Sequence, residues 1–496
     1  MIYPSLKEFG KLAKKGNLVP VYREIVADFD TPVSAFLKLG QRDYSFLLES
    51  VEGGEKIARY SFLGADPGLV FTASRDSYEV LENGRRKTFP LMGKDALEVF
   101  YSDYMKKYKP VPVSGIPRFH GGAVGFVGYD YVRTSDGIPL KNNNPANAPE
   151  MVFMLTDTIL IFDHIKHIIK IVANAHIEGS HEAAYKKACA RIDKMRGLLL
   201  SGKVKKSSSP GRAPKKIKFT PNMTGSAFRE MVRKTKEFIF AGDIIQAVLS
   251  RRFSAPVKDV DSFDIYRALR MINPSPYMYY LNLKAGKIIG SSPELLVRVE
   301  DGVIDTRPIA GTRKRGKDEE EEKKLEKDLL SDPKEIAEHI MLVDLGRNDI
   351  GRVSGYGRVK VTEFMQVEKY SHVMHIVSNV RGRLKPGISP VKAFSSCFPA
   401  GTVSGAPKIR AMQIISGLEP DNRGVYAGAV GYFSYSGNLD TCITIRTIVV
   451  KDGIAYIQVG AGIVADSVPE NELVETENKV KGMIKAVELA GEGLDI

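Results

Sequence analysis

The residues best placed to do chemistry in this chain are carboxylates at helical spacing. Glu335 and Glu338 lie three apart, and Glu472, Glu475 and Lys479 follow at three and four. Each set therefore shares one helix face. Both stretches open like helices. Ser331-Asp332-Pro333-Lys334-Glu335 offers a capping aspartate, a first-turn proline and a glutamate three residues on, and Ser467-Val468-Pro469-Glu470 repeats the capping-box spacing. Brought together, the two pairs make an oxygen-rich site for Mg²⁺, which takes one or two protein carboxylates and completes its shell with water and substrate oxygens. Spacing alone also suits two solvated acidic faces, with Lys479 as an i,i+4 partner.

A second pattern is a decoy. Gly460-Ala461-Gly462-Ile463-Val464-Ala465 matches the G-x-G-x-x-A dinucleotide fingerprint. The required helix should open at the third small residue, but Asp466 to Pro469 delay it. No second strand with an acidic ribose partner follows before Ile496. The glycines then serve close backbone approach, as to a carboxylate whose oxygens accept N–H bonds.

Composition narrows the class. The 496 residues are 43% hydrophobic and 26% charged, which fits a globular protein of more than one folding unit. Cys189, Cys397 and Cys442 show no zinc-ligand spacing and suit a reducing compartment, so a cytoplasmic location is expected. No apolar leader stands at the N-terminus. The most apolar stretch, 151–176, is interrupted by Asp157, Asp163, His164 and Lys166, short of the roughly 20 apolar residues that span a membrane. It reads as two strands around an Asp163-His164 turn. Of the net charge of +13, seven units sit in 201–218, which has six Lys, one Arg and no acid. That Ser/Pro/Gly-rich segment reads as a flexible linker rather than a nucleic-acid module. It divides an N-terminal region, 1–200, from a C-terminal region, 219–496.

Asn83-Gly84, Asp301-Gly302 and Asp452-Gly453 lie between β-rich runs, and such dipeptides make tight hairpins. The expectation is an α+β fold of largely antiparallel sheets, with helices over Phe228–Ala241, Ser331–Leu345 and Ser467–Leu489. Gly122-Ala123-Val124-Gly125-Phe126 echoes Gly428-Ala429-Val430-Gly431-Tyr432, through duplication or a shared need for small residues at close-packed strands. The charge-dense run Arg313–Asp328 reads as a solvated loop and helix start.

Eight blocks in fixed order carry a resemblance. They are Gly242-Asp243-Ile244-Ile245-Gln246, Ser291-Ser292-Pro293-Glu294-Leu295-Leu296, Arg307-Pro308-Ile309-Ala310-Gly311-Thr312-Arg313, Ala337-Glu338-His339 through Asp349, Val373-Met374-His375, Gly401-Thr402 through Lys408, Asp440 through Arg446, and Gly460 through Ser467. Over 240–485 the chain resembles the chorismate-utilising enzymes, whose fold is a sandwich of such sheets with outer helices. Within that family it is similar to the anthranilate-forming branch. The aminodeoxychorismate-forming branch typically has a lysine where Ala310 stands. The water-adding branch has a lysine base where Gln246 stands, and a neutral amide suits ammonia, already a nucleophile.

The resemblance implies roles residue by residue. Glu338 and Glu475 would ligate Mg²⁺ directly, with Glu335 and Glu472 acting through water. Glu294 would be the general acid, Thr312 would orient the leaving hydroxyl, and His375 would move a proton in elimination. Gln246 would stand beside the amine. Gly311, Tyr426, Arg446, Lys479 and the amides of Gly460, Ala461 and Gly462 would hold substrate carboxylates. Leu47-Leu48-Glu49-Ser50, Arg59-Tyr60-Ser61-Phe62 and Asn273-Pro274-Ser275-Pro276-Tyr277-Met278 resemble the family's tryptophan feedback pocket, with Ser50, Pro276, Tyr277 and Met278 as its candidate contacts. Neither Cys397 nor Cys442 stands in a glutaminase-like setting, so ammonia would come from a glutamine amidotransferase subunit, in a heterotetramer of two of each. The remaining reading is a non-catalytic chorismate or tryptophan binder.

Overall fold

The computed structural model describes residues 1–40, 42–51, 59–141, 143–202, 217–370 and 373–494. Most of the basic segment expected to be a linker, 203–216, lies outside the described residues. The first half of the chain supplies β1 (Ile2–Tyr3), β2 (Leu18–Val26), β3 (Ser45–Glu49), β4 (Tyr60–Ala65), β5 (Leu69–Ala73), β6 (Ser77–Glu82), β7 (Arg85–Pro90), β8 (Gly122–Val127), β9 (Met151–Thr156), β10 (Thr158–Asp163) and β11 (Ile168–His176). Its helices are α1 (Leu6–Leu12), α2 (Pro32–Leu39), α3 (Ala96–Phe100), α4 (Val132–Ser135) and α5 (His181–Ser201).

The second half supplies β12 (Thr220–Pro221), β13 (Gln246–Pro256), β14 (Tyr277–Leu283), β15 (Gly286–Ser292), β16 (Leu295–Glu300), β17 (Val303–Thr306), β18 (Ile309–Lys314), β19 (Lys360–Lys369), β20 (Val373–Arg383), β21 (Gly405–Ala406), β22 (Ala429–Ser434), β23 (Leu439–Ile443), β24 (Thr447–Lys451) and β25 (Ile454–Ile463). Its helices are α6 (Gly225–Phe240), α7 (Ser262–Ile272), α8 (Glu319–Ser331), α9 (Pro333–Val353), α10 (Pro390–Cys397), α11 (Lys408–Leu418) and α12 (Pro469–Glu492).

Two sheets form. One runs β1-β2-β11-β10-β4-β3-β14-β15-β24-β25-β13-β12, and the other β18-β20-β17-β16-β23-β22-β8-β9-β5-β6-β7. Phe62, Phe119, Phe126, Tyr279 and Tyr432 pack between them. Phe9, Phe36, Ile192, Leu269 and Met483 bring α1, α2, α5, α7 and α12 onto the outer face of the first sheet. Phe100, Phe394 and Met412 cover the second from α3, α10 and α11. The architecture is the expected antiparallel sandwich with outer helices.

The strand orders contain a symmetry. Outward from the β3–β14 ladder, the first sheet reads β4, β10, β11, β2 on one side and β15, β24, β25, β13 on the other. Outward from β8–β22, the second reads β9, β5, β6, β7 against β23, β16, β17, β20. These strands occur in the same succession along each half, and α2 and α7, and α5 and α12, hold matching places between them. The echoing segments are β8 and β22, and they pair with each other, Gly125 opposite Gly431. A Cβ on Gly125 would come within 1.8 Å of the Val152 carbonyl oxygen, and one on Gly431 within 2.1 Å of that of Asp440. Close packing thus demands glycine at both positions, and the matched strand orders accord with a duplication. Each sheet draws strands from both sides of 201–218.

Local expectations fare differently. The three hairpin dipeptides connect β6–β7, β16–β17 and β24–β25, with positive φ at both residues of each. The 151–176 stretch holds three strands rather than two. Asp157 separates β9 from β10, which pair with strands of different sheets, and the turn after Asp163 runs through His167. The charge-dense run is already helical from Glu319, and α9 continues to Val353. Asp332 caps α9, accepting from the amides of Lys334 and Glu335. Ser467 does not cap α12: Val468 holds that position without a side-chain bond, and the Ser467 hydroxyl instead accepts from Val464 N–H at 3.1 Å.

Candidate active site

Two helices and seven strands or their flanks enclose a cavity of about 520 Å³. The N-terminal turns of α9 and α12 bring Glu335, Glu338, Glu472 and Glu475 to it. Gln246 opens β13, Glu294 precedes β16, Gly311 and Thr312 lie on β18, and His375 lies on β20. Tyr426 precedes β22, Arg446 precedes β24, Gly460 and Gly462 end β25, and Lys479 lies on α12. All of these line the cavity. Among the residues expected there, Ala461 alone does not.

Strand geometry explains that exception. Successive residues of a strand address opposite neighbours. The Gly460 carbonyl accepts from Lys479 Nζ at 2.9 Å, so Gly460 and Gly462 face the open edge. Opposite them, the Ser250 amide donates to Glu419 and the Val248 amide to Ser404. Ala461 turns its backbone toward Leu249 of β13 and buries its side chain in the core.

The polar groups are already engaged with one another. Gln246 Nε2 donates to Glu338 Oε1 at 2.9 Å, and Lys479 pairs with Glu475 at 2.6 Å. Arg313 holds Glu335 at 3.1 Å and Asp332 at 2.8 Å, fixing the first turn of α9. Thr402 Oγ1 donates to Glu294 Oε2 at 2.8 Å. His375 Nδ1 lies 2.9 Å from the Gly311 carbonyl. A carbonyl only accepts, so Nδ1 carries the proton and Nε2 the lone pair. Arg446 takes a left-handed backbone, φ 49°, strain of the kind concentrated at functional sites, and donates to Asn273 Oδ1 at 3.0 Å.

Electrostatics sorts the carboxyls. Burial pushes Glu294 up, against the pull of Thr402, Lys479 and Arg446. Burial also raises Glu335 against its bond to Arg313, and Glu472 against its bond to Ser467. In both cases a neighbouring glutamate adds to the rise. Burial lowers His375, which stays a neutral imidazole near pH 7. Crowded acids are what a divalent cation would relieve. Among the described residues no three His, Cys, Asp or Glu side chains close around one point.

Thr402 and Arg313 were not singled out in the sequence. Both stand inside the resembling blocks, but their roles depend on contacts 108 and 22 residues away.

A second cavity, of about 400 Å³, opens where the two halves meet. Ser50, Pro276, Tyr277 and Met278 all line it. So do the Arg59, Arg118 and Arg298 guanidiniums and the Glu49, Glu300 and Asp440 carboxylates. Tyr277 donates to Asp440 at 3.0 Å, and Arg298 pairs with Asp440 at 2.8 Å. Among the described residues the buried Ser50 hydroxyl has no protein partner. Aromatic walls with charges of both signs suit an aromatic zwitterion.

The family described as chorismate binding enzymes matches residues 45–485. The chain is 49% identical to anthranilate synthase component 1 of Acetivibrio thermocellus, over 99% of this chain and 100% of that protein. It is 48% identical to its counterpart in Aquifex aeolicus, over 98% of each. The crystal structure of anthranilate synthase component I from Streptococcus pneumoniae superposes with a TM-score of 0.72 at 39% identity, covering 93% of this chain and 99% of that one. The menaquinone-specific isochorismate synthase of Escherichia coli, 18% identical with a TM-score of 0.69, shares the fold.

Proposed function

Because the chain belongs to the chorismate-binding enzymes, we propose that it is an anthranilate synthase component 1, turning chorismate and ammonia into anthranilate and pyruvate for tryptophan synthesis. The observation that carries this is the convergence of Glu294, Thr312, His375, Arg446 and four helix-borne glutamates on one cavity. Gln246 and Ala310 in place of lysines favour amine addition over water addition and over the aminodeoxychorismate product.

The chemistry follows from the groups present. Chorismate carries two carboxylates, a C4 hydroxyl and an enolpyruvyl ether. Arg446, Lys479, Tyr426 and the Gly460 and Gly462 amides bind carboxylates by charge-assisted hydrogen bonds. Mg²⁺, held by Glu338 and Glu475 with Glu335 and Glu472 behind water, would draw electron density from the ring through its carboxylate as a Lewis acid. Hydroxide leaves poorly, so the C4 oxygen takes a proton from Glu294. Burial keeps that carboxyl protonated toward neutrality, and Thr402 fixes its direction. Thr312 orients the departing hydroxyl. His375 Nε2 accepts a proton as pyruvate leaves and the ring becomes aromatic. Gln246 neither donates nor accepts charge and leaves ammonia as the nucleophile.

Ammonia comes from a glutamine amidotransferase partner, in a heterotetramer of two of each subunit. The cavity between the halves takes tryptophan as feedback inhibitor, with Ser50 available to its ammonium or carboxylate and Met278 and Tyr277 against the ring. The three cysteines are unpaired, two of them buried, which suits the reducing cytoplasm. Among the described residues no helix is long and apolar enough to cross a membrane. The decisive measurement is anthranilate fluorescence from chorismate, Mg²⁺ and ammonium, with and without tryptophan. If no anthranilate forms, the proposal fails.

A further inference from the structure

The catalytic cavity does not end at Arg446, Glu475 and Lys479. The same three side chains form a wall of a separate groove of about 540 Å³. The groove lies between the end of α7, at Leu269 and Asn273, and the outward face of α12, at Asn478 and Gly482. The Lys479 and Glu475 side chains are 49% and 45% exposed. Their ion pair thus stands in the partition between groove and cavity. So exposed a pair holds weakly against water and opens readily.

Charge is divided unevenly along this path. The groove end presents the Arg446 guanidinium and the Lys479 ammonium against the single Glu475 carboxylate. The opposite end of the cavity, between α9 and α12, presents Glu335, Glu338 and Glu472 against Lys334. A dianion approaching from the α9 side meets carboxylates first. One approaching through the groove meets two cations against one carboxylate, a net positive wall of the kind that raises the encounter rate of an oppositely charged ligand. We propose that the groove is the access route and staging site for the dicarboxylate substrate. Lys479, in the partition, is its gate, turning to a substrate carboxylate as it passes. This rests on the cavity being a chorismate site.

Gly482 offers a clean test. A Cβ there would meet nothing within 4 Å, and the residue lines the groove but not the cavity. Gly482→Leu and Gly482→Phe place bulk in the route at a residue that does not line the cavity, and replacing a mid-helix glycine favours the helix. The chain has no Trp and 21 Tyr, so chorismate binding with Mg²⁺ and no ammonium can be followed by stopped-flow tyrosine fluorescence. Association and dissociation should both slow by about tenfold, more for Phe than for Leu, with Kd held within about twofold. A distorted site would shift Kd instead. Asn478→Asp should slow association in a manner that fades with added salt. Melting temperatures like the parent's establish that the variants fold. Parent-like rates in both folded Gly482 variants overturn the route, whereas a parent protein that does not bind chorismate overturns the underlying reading of the cavity.

Discussion

The two halves share a strand plan, yet their matching strand ends differ: among the described residues one borders the candidate cavity and the other is filled. At the end of β25 stand Gly460 and Gly462, and the space beside them is open. At the matching end of β11 stands His176, whose Nε2 lies 2.6 Å from Asp157. Asp157 immediately precedes β10 as Arg446 precedes β24. The Tyr435 hydroxyl donates to Asp157 at 2.8 Å, and the Tyr108 ring packs edge-on against His176 at 4.9 Å. A filled polar cluster thus stands where the other half has its pocket. The halves differ again between their matched strands. The β6–β7 hairpin of the first half turns on Asn83-Gly84, whereas between β17 and β20 the second half inserts β18, α8, α9 and β19. That insertion brings Glu335 and Glu338. The half with the open cavity thus differs by carboxylates on an inserted helix and by glycines where its counterpart has His176.

If the insertion confers the activity, its loss should have the largest effect. Glu338→Gln is expected to lower kcat by about three orders of magnitude or more while circular dichroism and melting stay parent-like. Undiminished anthranilate formation would break the contrast between the halves. Next comes the acid. Glu294→Gln should cost about 10²–10⁴ in kcat. In the parent, kcat should fall as pH rises through the raised Glu294 pKa, because the protonated form is the active one. The Thr402 bond lowers that pKa, so Thr402→Val should move the alkaline limb to higher pH; a limb that stays put would mean another group sets it.

A smaller change is expected at the junction. Ser50→Ala and Met278→Thr should raise the tryptophan concentration for half-inhibition by roughly tenfold, the loss of about one buried contact, with kcat within about twofold. Equal inhibition of variant and parent would remove the site. The smallest effect belongs to the silent half. Burial pushes Asp157 up, but His176, Arg191 and Tyr435 outweigh it and leave it below its usual value. Its stabilisation is therefore present above about pH 4 and lost as pH falls through the lower folded value. Asp157→Asn should cost about 1–3 kcal/mol in urea unfolding at pH 7 and leave kcat of the folded protein unchanged. A loss of kcat without a loss of stability would give the first half a catalytic role.

What the sequence displays is what acts over short distances. Hairpin dipeptides, glutamates at three and four, and the ordered blocks are each contained in a few residues, and the structure places them as their local chemistry requires. Ser467 failed as a cap because its hydroxyl had a nearer use at Val464. Asp157 interrupts the apolar run like its other polar residues, and nothing local marks it as the point where the chain changes sheets. The symmetry of the halves leaves one short echo, since a shared topology constrains burial and pairing but not residue identity. Thr402 gains its meaning only when the chain brings it to Glu294.

The seam between the halves has a consequence for how such a chain can arise or be divided. β3 pairs with β14 and β8 with β22, so each half closes the open edges of the other. Cut apart, both would expose rows of unpaired N–H and C=O groups, a template for uncontrolled strand addition. The pairing is antiparallel and sets the corresponding residues Gly125 and Gly431 face to face, the relation that a two-fold axis imposes on identical subunits. Each half therefore stands to the other as one subunit of a two-fold dimer stands to its partner, joined within one chain.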